Sequence, residues 1–131
     1  MKYHCHCQNF QIEWDVNLSN LVARQCGCDY CRSCKTEYMS DPNSKLSFKV
    51  TDDVQQKIIQ HGFNTAKFHE CGNCGLILVT SEIEGEIYAV VNVSNLNIEG
   101  YRIESDYHDF SNESSEVRLA RRKKNWCKVV D

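Results

Sequence analysis

The chain has 131 residues, 25% of them charged and 41% hydrophobic, with a formal net charge of −3. This balance is expected of a single globular domain over residues 1–131. The acidic balance argues against general nucleic-acid binding or an anionic-membrane role, and no apolar run reaches the length of a membrane span. "MKYHCHCQNF" carries no leader-like hydrophobic stretch, so the expected location is cytoplasmic, where thiols stay reduced.

Taken in chain order, the elements read as short strands. In "FQIEWDV", Phe10, Ile12, Trp14 and Val16 alternate with polar residues at the period of a half-buried strand. "KLSFKV" repeats the pattern with Leu46, Phe48 and Val50, directly after the turn signal "SDPNS". "VQQKIIQ" is short and favours another strand. "LILVTS" and "EIYAVVNV" flank "EGE" around Gly85, the signature of an antiparallel hairpin. The polar, acidic "ESDYHDFSNESSE", 104–116, reads as a surface loop, and "RLARRKKNWCKVV" as a strand-like end. Its basic run, Arg121 to Lys124, is expected to be a solvated face. The coarse reading is an all-β domain with zinc knuckles and little helix.

Nine cysteines in a reduced compartment, odd in number and closely spaced, point to metal ligands rather than disulfides. Zinc holds thiolates about 2.3 Å away, so its sulfurs must converge. Cys5 and Cys7, two apart on an extended segment, would share a face and approach one ion. The turn of Cys71 and Cys74 would supply the other half, with Gly72 and Gly75 permitting its tight backbone. Closed four-cysteine coordination is structural. His6 would face away from that ion, and neither His4 nor His6 is read as a ligand.

Cys26, Cys28 and Cys31 form a C-x-C-x-x-C set that suits one metal with a vacant fourth position, the mark of a catalytic site. There a substrate thiol could be held as a thiolate, or a water or carbonyl oxygen bound. Cys34 is read as a spectator, a local functional thiol open to oxidation or exchange, or a fourth ligand closing the site. Cys127, beside Trp126, reads as a buried or spectator thiol. Arg24, Arg32 and Lys35 are read as surface charges rather than substrate contacts.

The ordered pieces "YHCHCQNFQIEW", "CGCDYCR", "KFHECGNCG" and "VVNVSNL" resemble the glutathione-dependent formaldehyde-activating enzyme and centromere protein V family over roughly residues 3 to 96. The resemblance implies a fold of layered, tent-like β-sheets bearing zinc, similar to the B-type methionine sulfoxide reductases. It implies two Zn2+ per chain, a structural ion on Cys5, Cys7, Cys71 and Cys74 and a catalytic one on Cys26, Cys28 and Cys31. It further implies a carbon–sulfur lyase acting on a small thiol such as glutathione and a small aldehyde, the reference product being S-hydroxymethylglutathione. The alternative is a non-enzymatic zinc module that binds a protein partner. The chain departs from the family pattern at Gln8, where glycine is common, and at Ser33, Cys34 and Lys35 after the "CR" pair.

Overall fold

The computed structural model describes residues 2–16, 22–26, 37–52, 56–61, 66–98, 102–108 and 114–130. Eleven strands and one α-helix occur among them, so the protein is all-β, as expected. No helix among the described residues is long and apolar enough to cross a membrane.

The strands are β1 (Lys2–His4), β2 (Phe10–Trp14), β3 (Val22–Cys26), β4 (Tyr38–Met39), β5 (Lys45–Val50) and β6 (Gln56–His61), followed by β7 (Ala66–Cys71), β8 (Gly75–Ile83), β9 (Glu86–Asn92), β10 (Arg102–His108) and β11 (Cys127–Val129). The helix, α1, spans Ser115–Asn125. The expected strands at "FQIEW", "KLSFKV", "QKIIQ" and the hairpin pair are all present.

β9 is the branch point. On one edge it pairs along its length with β8, which continues through β7 to β6 as an antiparallel meander. Its other edge is shared end to end. Tyr88 and Ala89 pair with β11, which leads through β5 and β2 to β1. Val91 and Asn92 pair with β4, which leads through β3 to the parallel strand β10. The β8–β9 turn, Glu84–Gly85, takes positive φ at both residues (54° and 82°), the two-residue geometry whose twist suits a hairpin.

Burial follows the alternation in β2: Phe10, Ile12 and Trp14 point inward and Gln11 and Glu13 outward. They pack with Leu46, Leu78, Val91 and Val93 in the larger core cluster. β8 shows no alternation, because residues 76–81 are buried on both faces. A second cluster, with Phe68, Val79, Tyr88 and Trp126, receives Leu119 of α1. Strands covered on both sides lose the period of two, which is why "LILV" reads as a continuous apolar run.

Two expectations fail near the C-terminal end. Of the surface loop expected over 104–116, residues 104–108 belong to β10, which pairs in parallel with β3, and residues 109–113 lie outside the described residues. Residues 115–125 form a helix rather than a strand; only Cys127–Val129 extends. Ser114 caps the helix, its side chain accepting from Val117 N–H at 3.2 Å. Glu116 lies in the first turn and Arg122, Lys123 and Lys124 in the last, matching the helix dipole at both ends. The inward positions Arg118, Arg122 and Trp126 recur every four residues, but two of the three are arginines. A buried face built on arginine stems carries no apolar period, so the helix did not announce itself. The basic run is thus not a uniform solvated face: Arg122 is buried, donates to Ser81 Oγ at 3.2 Å and lies 5.1 Å from the Trp126 ring centroid.

Candidate metal centre

Two hairpin ends meet to form the site. The first is the β1–β2 connection, where Cys5 N–H bonds to Phe10 C=O and Gln8 N–H to Cys5 C=O. Cys5 and Cys7 therefore converge through a tight turn, not along an extended strand, and the same-face argument for this pair is corrected accordingly. His6 is exposed at the turn, and His4 Nδ1 lies 2.8 Å from Cys5 C=O. The turn closes only because Gln8 takes φ of 66°, a conformation that favours glycine.

The second end is the β7–β8 turn, with Cys71 closing β7 and Cys74 just before β8. Gly75, not Gly72, provides the left-handed residue there, with φ of +90°; a Cβ on Gly75 would also stand 3.2 Å from Asn95 Nδ2. The two ends are locked together from outside the cluster. Cys5 bridges Leu96, and His4 and Asn97 exchange hydrogen bonds, His4 N–H to Asn97 Oδ1 and Asn97 N–H to His4 C=O.

The sulfurs of Cys5, Cys7, Cys71 and Cys74 all lie within 4.8 Å of one another. Cys7 Sγ is 3.7 Å from Cys5 Sγ and 3.4 Å from Cys71 Sγ. A regular tetrahedron with zinc–sulfur arms of about 2.3 Å has edges of about 3.8 Å, so these separations suit one ion. Backbone amides already point at the sulfurs: Cys7 N–H donates to Cys74 Sγ at 3.3 Å and Phe10 N–H to Cys5 Sγ at 3.4 Å.

The protonation pattern fits the same purpose. The Asn9 amide, helped by the Cys71 thiol, draws exposed Cys7 down to about 6. Burial pushes Cys74 up to about 12, with the neighbouring Cys7 and Cys5 sulfurs adding to it, and burial raises Cys71 as well. Cys7 thus ionises easily, while burial first and the neighbouring sulfurs second disfavour the thiolates of Cys71 and Cys74. A dication at the centre offsets both effects and would deprotonate the set. The donor set fits zinc.

Of the second cysteine set, Cys26 ends β3, while Cys28, Cys31 and Cys34 lie outside the described residues. Two backbone registers converge on Cys26's strand: Arg24 pairs with Tyr38 of β4, and Cys26 with His108 of β10. The partnership with β10 was missed because 104–116 read as a loop. Cys127 is buried, as expected, receiving the Asp41 N–H at 3.3 Å beside Ser44 Oγ, and burial raises its thiol.

Asn92 was also missed. Fully buried, its Oδ1 accepts from Glu37 N–H at 2.9 Å and Ser94 Oγ at 2.7 Å, while its Nδ2 donates to Leu76 C=O at 2.8 Å. It joins the strand start after the "CGNCG" turn to the chain that follows the Cys26–Cys34 stretch. The signal was present in "VVNVSNL", where the polar Asn92 closes the apolar run that ends β9. His69, two residues before Cys71, is buried but stands apart from the four sulfurs, its Nε2 2.8 Å from Thr80 Oγ1. Burial, with Lys67 nearby, lowers it to about 4, so it is a neutral core residue.

No curated protein matches the chain in a sequence search. A crystal structure of a Rhodobacter sphaeroides protein is similar, at a TM-score of 0.56 and 24% identity, covering 79% of this chain and 100% of that one. That likeness is one of fold. The family profile described as "Glutathione-dependent formaldehyde-activating enzyme" matches residues 1–113, a span that contains both cysteine sets and the β3–β10 pairing. With the match covering most of the chain and the four sulfurs converged, the protein belongs to the glutathione-dependent formaldehyde-activating enzyme family.

Proposed function

We propose that this protein is a zinc-dependent carbon–sulfur lyase that joins a small thiol, glutathione, to a small aldehyde, formaldehyde. The observation that carries this reading is the family match over residues 1–113. In this reading Cys5, Cys7, Cys71 and Cys74 hold a structural zinc, and Cys26, Cys28 and Cys31 hold a second one at the reacting centre. The chain acts as one cytoplasmic domain without nucleic-acid or membrane partners.

The chemistry needs little. The thiol sulfur adds to the carbonyl carbon, an S–C bond forms, the carbonyl π pair moves to oxygen, and the proton lost by the thiol ends on that oxygen. No oxidant or reductant takes part. Zinc at the second centre would supply the positive charge that keeps a thiol sulfur deprotonated at neutral pH. Cys26, Cys28 and Cys31 would hold that ion as three thiolate ligands, and the position they do not occupy would be open to substrate. The protein's contribution is then mainly positional, since the uncatalysed partners already react and orientation is what remains to be supplied.

The test follows adduct formation by NMR with glutathione and formaldehyde, on protein whose zinc content is measured by elemental mass spectrometry. Two zincs per chain and saturable acceleration over the spontaneous rate are expected. Cys28→Ser should lose the acceleration and one zinc while its circular dichroism stays unchanged. No acceleration with glutathione or any other small cellular thiol sinks the lyase reading and leaves the protein-binding zinc module.

A further inference from the structure

The four converging sulfurs are unequally accessible. Cys5 and Cys71 are buried, Cys74 is half-buried, and only Cys7 is exposed. An oxidant arriving from solvent therefore meets Cys7 first. Its sulfur lies 3.4 Å from that of Cys71 and 3.7 Å from that of Cys5. Cys5 and Cys7 are two positions apart within one turn, where a disulfide would close a very small ring. Cys71 instead comes from the other hairpin, 64 residues away, and already faces Cys7 across the cluster. Forming a bond of about 2.05 Å from that separation needs only a short approach of the two sulfurs.

We infer that Cys7 is an oxidation site for hydrogen peroxide and that a Cys7–Cys71 disulfide then replaces the zinc crosslink, releasing the ion. This rests on the reading of the four cysteines as a zinc site. The Cys7 thiolate attacks one peroxide oxygen, the O–O bond breaks, hydroxide leaves and Cys7 becomes a sulfenic acid. The Cys71 thiolate then attacks the Cys7 sulfur, the S–O bond breaks, a second hydroxide leaves and the S–S bond forms. Two thiolates lose two electrons and one hydrogen peroxide molecule gains them. The two ligands left, Cys5 and Cys74, hold zinc too weakly to keep it.

The same two hairpin ends remain joined, by a covalent bond in place of an ion. The oxidised chain therefore keeps its β-fold, and a dithiol with added zinc restores the starting state. The site would report peroxide through its metal without unfolding the protein.

The experiment titrates the full, zinc-loaded chain with hydrogen peroxide. A metallochromic indicator follows free zinc, circular dichroism follows the fold, and tandem mass spectrometry of the alkylated digest maps disulfides. Release of one zinc per chain in step with a Cys7–Cys71 bond, reversed by dithiothreitol and zinc, is expected. A Cys71–Cys74 or Cys5–Cys7 bond overturns the inference, as does zinc release while Cys7 remains free to alkylate. Because Cys7→Ser removes a ligand, the disulfide map of the unaltered chain decides the matter, and Cys127→Ser should release zinc at the unaltered rate. Protein purified without zinc instead overturns the metal reading, and its disulfide map still decides between Cys7–Cys71 and the other pairings.

Discussion

At the scale of single residues, Gln8 shows how a local departure from a family pattern carries a physical cost. The turn that brings Cys7 over Cys71 needs a left-handed residue, and Gln8 occupies it at φ of 66°. A side chain there meets its own backbone, which glycine avoids. Gln8→Gly should therefore raise stability by about 0.5–1 kcal/mol, the relief of strain exceeding the added freedom of the unfolded chain. Urea unfolding measures it, and a lower midpoint for the glycine variant would contradict the strain argument. Cys127 teaches the opposite lesson: of the two readings its neighbour Trp126 suggests, a buried or a spectator thiol, the fold gives a buried one.

Between elements, Asn92 is the polar joint. It lies on β9, accepts the Glu37 amide just before β4 and donates to the Leu76 carbonyl at the start of β8. Replacing it with alanine removes the side-chain acceptor of the half-buried Glu37 amide and one of the two side-chain donors to Leu76, the other being Asn95 at 2.8 Å. Asn92→Ala should cost about 3 kcal/mol, well above the typical single substitution. Thermal unfolding tests this, and a loss below that of an average surface change would show the joint to be dispensable. The helix at Ser115–Asn125 belongs to the same scale. Helix-forming residues and a serine cap were in plain view, yet the arginines on its buried face hid the period by which helices are recognised.

At the scale of the molecule, the four-cysteine centre links the two outer regions of a branched sheet, the β1–β2 hairpin and the β7–β8 hairpin. An ion bound only by the folded arrangement stabilises that arrangement through mass action. On the proposed zinc assignment, removing the metal with a chelator should lower stability by about 4 kcal/mol when free zinc stood roughly a thousandfold above its dissociation constant. Cys71→Ser should melt near the chelated wild type. Identical melting with and without chelator would remove the stabilising role from this site.

The strands at "FQIEW", "KLSFKV" and "QKIIQ", the hairpin at Gly85 and the pairing of the Cys5–Cys7 and Cys71–Cys74 half-sites could be read from order and spacing, because those patterns reflect local backbone geometry. Alternation in β2 and β5 survives in the sequence since one face of each is the more exposed. The spacing of Cys5, Cys7, Cys71 and Cys74 suggested a shared ion, but their convergence within 4.8 Å is a property of the folded chain. Other features exist only through contacts between distant segments. β10 is polar and becomes a strand by pairing with β3; α1 has a buried face because Trp126 and Ser81 accommodate Arg122. Unequal exposure of the four sulfurs is of the same kind, since it depends on which hairpin covers which ligand. Local pattern determines which elements can form and which donors are present; tertiary packing determines what each donor faces, because burial and long-range pairing have no signature in a single stretch of chain.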